Sequence, residues 1–227
     1  MFQVRFHGRG GQGVVTAAEL LAAAAFREDR YGQAFPSFGS ERMGAPVMSF
    51  CRIDDKPIRT REPVTAPDAL LIQDPTLLHQ PGLLDGLRPD GYVLVNSSRG
   101  VDDIGLAEFA TQHSGHLLTV PATNLALANL GRPLPGAPML GGLAALTRTE
   151  QTVSLDALLA AITERFGDRP RVAAGNSAAA RAAFDFVRST TTTARGAGSA
   201  PRSAPAARSP WFLTSTDRVV GPRARYE

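Results

Sequence analysis

Apolar and polar residues alternate over Phe2–Phe6 and then give way to a cluster of glycines, Gly8, Gly10, Gly11 and Gly13. A period of two predicts a strand, and the glycines predict a sharp turn. From about Val14 to Phe26 the chain is apolar nearly all round, with Glu19 as the exception. That pattern predicts a helix buried against a sheet or against another subunit. Tyr31–Met43 carries no strand pattern, and Gln33–Val47 reads as a long loop of Gly, Pro and Ser interrupted by Phe35, Phe38 and Met43. Apolar density returns over Val47–Ile53, a second strand, which ends in the turn Asp54–Pro57 before a short return at Ile58.

Beyond this point short continuous apolar runs alternate with helical stretches. Strands are predicted at Ala69–Ile72, Tyr92–Val95 and Leu117–Val120. Helices are predicted at Pro81–Leu87, Ile104–Gln112, Ala122–Leu130, Met139–Leu146 and Leu155–Phe166. Ser154 is the N-cap of Leu155–Phe166, and a last helix runs from Asn176 or Ser177 to about Val187. Runs of this kind predict an α/β domain, a mostly parallel sheet with helices on both faces. Ligands of such sheets gather at the carboxyl ends of the strands. The Gly8–Gly13 turn, Asp74, and Asn96–Arg99 with Ser97 and Ser98 sit at such ends.

After Arg188 the composition changes to Thr, Ala, Gly, Pro, Ser and Arg. The division expected is an α/β domain over 1–188 and a flexible linker with an extended docking tail over 189–227, anchored by Trp211, Phe212 and Leu213. Residues 189–227 hold six arginines against Asp217 and Glu227, whereas the rest of the chain has 18 basic and 19 acidic side chains. The net charge of +3 therefore belongs to the tail, and a nucleic-acid-binding body is not implied. No run of about 20 apolar residues is present to span a membrane. The first residues do not read as a signal peptide, so a cytoplasmic location is expected. Cys51 is the one cysteine, too few for an internal disulfide or a self-contained iron–sulfur cluster.

The turn satisfies G-x-G-x-x-G through Gly8, Gly10 and Gly13. Two readings fit it: a cradle of backbone N–H groups for an anion at a helix N-terminus, or a turn that lets a helix pack close to a sheet. A dinucleotide site also needs an acid about 20 residues on, after a second strand, and that region is the loop Tyr31–Met43. His113-x-x-His116 lacks an evident third ligand, so no metal site is expected. Cys51 has no activating partner nearby and reads as an inert buried thiol. No residue reads as a general base or thiol activator, so no catalytic residue is assigned.

Three stretches in order, HGRGGQGVVTAAELLAAAA, FPSFGSERMGAPV and FCRIDDKPIRTREPVTAPDALLIQD, resemble the gamma subunit of the 2-oxoacid:acceptor oxidoreductases, the pyruvate:ferredoxin oxidoreductase type. PMLGGLAAL and AAGNSAAARAAF fit the same pattern, and the resemblance covers about residues 1–188. It implies a Rossmann-like swivelling domain that packs over an active site and helps to receive coenzyme A. It implies oxidative decarboxylation of a 2-oxo acid to an acyl-CoA, with pyruvate as the default. An aryl-glyoxylate such as phenylglyoxylate, 2-oxoglutarate or a branched-chain oxo acid remain open. Thiamine diphosphate, Mg and [4Fe-4S] clusters are implied for partner alpha, beta and iron–sulfur subunits, with ferredoxin or an NAD-linked acceptor taking the electrons. The coenzyme A phosphates would then meet Gly8, Arg9, Gly10, Gly11, Gln12 and Gly13, with Ser40, Glu41 and Arg42 of the loop and Ser97 and Ser98 nearby. Two other classes stay open: a nicotinamide- or flavin-binding domain, and an assembly subunit without a ligand.

Overall fold

The computed structural model describes residues 1–37, 44–112, 116–147 and 151–196. Six strands form one sheet in the order β2-β3-β1-β4-β5-β6. They are β1 (Phe2–Arg9), β2 (Tyr31–Pro36), β3 (Pro46–Asp54), β4 (Ala69–Ile72), β5 (Tyr92–Asn96) and β6 (Leu117–Val120). β1, β4, β5 and β6 run parallel, and β3 lies antiparallel between β1 and β2. The α/β class and the mostly parallel sheet hold.

Alternation on β1 divides the two faces. Val4 and Phe6 are fully buried beneath α1 (Val14–Phe26), in a core shared with Cys51, Ile53, Leu71 and Leu94. The same core takes in α3 (Ala122–Leu130), α4 (Gly136–Leu146), α5 (Leu155–Arg165) and α6 (Pro170–Gly196). The reverse face over β4–β6 carries a smaller apolar cluster of Leu70, Ile72, Val93, Val95 and Leu117, covered by Leu77, Leu83, Leu106 and α2 (Ala107–Gln112). That cover is thin, because much of it is turn and 3-10 helix rather than α-helix.

Several elements differ from the sequence reading, each for a physical reason. Tyr31–Pro36 is a strand, not part of a loop. Its inward residues are small because it lies directly on α1: a Cβ at Gly32 would stand 2.4 Å from the Ala22 carbonyl oxygen. A strand that presents Gly32 and Ala34 to its neighbour shows none of the bulky pattern that marks strands in a sequence. Pro81–Leu87 is a series of turns, and the helical piece precedes it at Pro75–His79, where Asp74 caps Thr76 N. Ile104–Gln112 is split by Gly105, whose φ of 78° ends a 3-10 turn before α2 begins. Ile58 opens no strand. α6 begins at Pro170, well ahead of Asn176, and continues past Arg188 through what reads as linker. The hydroxyls of Thr190 and Thr192 bond back to the carbonyls of Phe186 and Arg188 there. α1, too, is covered inside this chain by β2, β3, α4 and α5, so its apolar surface requires no second subunit.

Candidate functional site

β1 ends at Arg9, and α1 starts at Val14. Between them Gly11 and Gly13 hold φ of 93° and 75°, a region that residues with a Cβ avoid. Among the described residues a Cβ at either would meet nothing within 4 Å, so these glycines serve the turn's backbone rather than a close packing contact there. Gly13 gives α1 no side-chain cap. Ala17 N donates to the Gly13 carbonyl, and the N–H groups of Val14, Val15 and Thr16 ahead of it have no acceptor among the described residues. These donors, at the positive end of a 13-residue helix, suit an anion.

Side chains brace the turn from below. Gln12 Oε1 accepts from Arg9 N at 2.8 Å, and Gln12 Nε2 donates to Asp74 Oδ2 at 2.9 Å. Arg9 Nε lies 3.2 Å from Asp74 Oδ2. Its two terminal nitrogens donate to the Gly44 carbonyl and the Thr76 hydroxyl. Burial pushes the Asp74 carboxyl up, but hydrogen bonds from Thr76 and Gln12 and the Arg9 charge outweigh it and hold it below the ordinary carboxylate range. Arg9 is thus neutralised by Asp74, and the N–H groups of Arg9, Gly10 and Gln12 are taken by Gln12 Oε1, the Ala45 carbonyl and the Arg9 carbonyl, which leaves the first N–H groups of α1 as donors.

Two residues beside the turn were not singled out by the sequence reading. Gln73, just after β4, is fully buried, yet neither its carboxamide nitrogen nor its oxygen has a partner among the described residues. Its Nε2 lies 3.9 Å from where a Cβ of Gly136, the first residue of α4, would stand, and the Gly13 carbonyl oxygen lies 3.5 Å from that point. The second is Thr123 of α3. Asn96 Nδ2 donates to the Gln73 carbonyl and to Thr123 Oγ1, both at 2.8 Å, and its oxygen accepts from Thr123 N. The ends of β4 and β5 and the start of α3 are thereby joined. A polar residue that follows directly on a fully apolar strand, as Gln73 follows Ala69–Ile72, is the signal that marks it in the sequence.

The predicted site residues fall into three groups. Gly8, Arg9, Gly10, Gly11, Gln12 and Gly13 form the turn itself. Ser97 and Ser98 stand at the end of β5, with β4 between them and β1, and Ser97 Oγ accepts from Arg99 N. Ser40, Glu41 and Arg42, with Phe38 and Met43, lie outside the described residues, as do His113 and everything from Ala197, including Trp211–Leu213. His116 rests edge-on against Tyr92. Among the described residues no group of three His, Cys, Asp or Glu side chains could hold a metal ion. The Cys51 thiol is fully buried, and burial pushes its pKa up, a donor set that does not fit an iron–sulfur cluster. Among the described residues no carboxylate stands where a dinucleotide ribose would need one. β2 is separated from β1 by β3, and Asp54 lies at the end of the strands away from the glycine turn, paired with the N-terminal ammonium at 3.5 Å.

The sequence matches the family described as pyruvate ferredoxin/flavodoxin oxidoreductase over residues 3–186. It is 45% identical to the pyruvate synthase subunit PorC of Methanothermobacter marburgensis, over 83% of this chain and 98% of that one. It is 43% identical to the pyruvate/ketoisovalerate oxidoreductases common subunit gamma of Thermococcus kodakarensis, over 82% and 96%. The fold matches the crystal structure of the pyruvate oxidoreductase subunit PORC of Thermotoga maritima with a TM-score of 0.67 at 35% identity, covering 81% of this chain and 95% of that one.

Proposed function

The chain belongs to the pyruvate ferredoxin/flavodoxin oxidoreductase family as a gamma-type subunit, and on that premise we propose that it holds the phosphates of coenzyme A while partner subunits carry out the oxidation. The complex would decarboxylate a 2-oxo acid, pass the electrons to ferredoxin or another acceptor, and transfer the acyl group to the coenzyme A thiol. Pyruvate is the substrate that the relatives' names favour. Thiamine diphosphate with Mg and the [4Fe-4S] clusters belong to the alpha, beta and iron–sulfur subunits in this reading. This chain's part is to bind and orient, and to cap the active site.

The observation that carries the proposal is the turn itself: two positive-φ glycines and, among the described residues, no atoms close above them and no acceptors for the first helix N–H groups. Phosphate is the portion of coenzyme A that such donors suit. A purified complex given coenzyme A is expected to show slowed amide exchange at Gly8–Gly13 and the first turn of α1. Unchanged exchange there, in a complex that turns over coenzyme A, would move the phosphate site elsewhere. Dye reduction by the same complex with pyruvate, 2-oxoglutarate, branched-chain oxo acids and phenylglyoxylate identifies the substrate.

A further inference from the structure

On the face of the sheet away from α1, β1 presents Arg5, His7 and Arg9, opposite Phe50, Met48 and Pro46 of β3. A cavity of about 270 Å³ opens here. Its apolar wall comes chiefly from Pro46, Met48, Leu77 and Leu83, and its polar groups are His7, Ser37 and Gln80. Among the described residues that line it, none is cationic or anionic.

His7 is fixed from behind. Arg5, itself buried, donates from Nη2 to the carbonyls of Leu83 and Asp85 at 3.0 and 2.8 Å and from Nε to His7 Nε2 at 3.0 Å. A guanidinium only donates, so Nε2 is the bare nitrogen and the ring proton sits on Nδ1. Nδ1 has no partner among the described residues. It is not sealed off either, since the buried side-chain atoms without partners all belong to Gln73. The cavity wall therefore carries one oriented N–H donor, and the described residues around it are mostly apolar.

We propose that this cavity is a binding subsite for a neutral group that pairs a slim apolar body with a hydrogen-bond acceptor, read by His7 Nδ1–H. The site adjoins the glycine turn through the pairing of Gly8 with Val47, which also lines the cavity. One ligand would thus place its phosphates at the turn and a neutral portion against His7. The ligand's identity rests on the coenzyme A reading. Both the amide-bearing pantetheine arm and the adenine ring have the required chemistry.

The test uses the full-length chain with ¹⁵N-labelled histidine, the His7 signals being assigned by their loss in His7→Phe. The free protein should show an Nδ1-protonated ring at neutral pH. Pantetheine or adenosine at millimolar concentration should shift those signals, and inorganic pyrophosphate should not; which of the two fragments acts names the source. His7→Phe keeps a ring but removes the donor, and should weaken that fragment about three- to tenfold, the scale of one neutral hydrogen bond. Met48→Trp, at a partly buried position that lines the cavity, should fill it and block binding while leaving the His7 donor in place. If neither fragment moves the His7 signals while coenzyme A still binds the chain, the subsite is overturned and the coenzyme A reading stands. If a fragment moves them while coenzyme A leaves exchange at the glycine turn unchanged, the turn's role fails and the subsite stands.

Discussion

The two faces of β1 solve opposite problems with residues one position apart. Val4 and Phe6 lie beneath α1, fully buried in the apolar core. Arg5 and His7 point the other way, are nearly as buried, and are enclosed by carbonyl oxygens, one another and the wall of a cavity. A similar arrangement recurs on β3, where Arg52 is buried between Gln3, Gln33 and the Glu62 carbonyl, with its guanidinium 5.1 Å from the Phe35 ring. One face is held by packing, which tolerates no ligand. The other is held by directed hydrogen bonds, which leave room for one.

Three perturbations sharpen that contrast. The largest effect is expected on the packed face: Phe6→Ala should cost about 3–5 kcal/mol, the usual loss for a large aromatic truncated in a core. It is read as a shift in the denaturant midpoint, and a loss under 1 kcal/mol would mean the enclosure is loose.

The next is a pH effect on the hydrogen-bonded face. Burial, helped by the Arg5 charge, holds the His7 imidazole down to about 4, against 6.5 for an exposed ring. Between those two pH values the unfolded chain binds more protons than the fold, so stability falls as pH drops from 6.5 and levels off below 4. The loss should total about 3 kcal/mol. Asp74 titrates below its ordinary 3.8, so its own acid loss begins lower. His7→Phe should flatten the limb between pH 6.5 and 4, and a wild-type limb in that variant would place the acid response on other groups.

The smallest is Arg5→Met. It keeps the bulk but strands the Leu83 and Asp85 carbonyls, an expected loss of about 1–3 kcal/mol. The His7 tautomer should also cease to be fixed, visible as mixed ¹⁵N signals. A single Nδ1-protonated ring in that variant would show that Arg5 does not set it.

The packed face was legible in the sequence because packing leaves a periodic trace. α1 and Ala122–Leu130 stand where the apolar runs place them, and Ser154 caps α5 by accepting from Ala157 N. β2 was illegible because its inward residues, Gly32 and Ala34, are chosen for closeness to α1 rather than for bulk. The glycine turn was legible as a turn, whereas its bracing was not. The ion pair of Arg9 with Asp74 joins the end of β1 to the cap that follows β4, and no local pattern announces it. The His7 cavity did leave a trace: in VRFHGR the polar residues alternate strictly with the apolar ones, on a strand that lies inside the sheet. Polar alternation on an interior strand marks a face that something other than an apolar core must cover.

The position of β1 also has a kinetic consequence. Val4 pairs with Cys51 on one side and with Ala69 on the other, so neither neighbour of this interior strand is local in sequence. The loop closures that join the antiparallel pair to the parallel strands must all be made before β1 is walled in, and their entropy is lost before the contacts compensate it. Helices such as α3 and α5 form on their own much sooner. Refolding is therefore expected to lag behind the appearance of helix by circular dichroism, with the slow phase reporting the capture of β1 between β3 and β4.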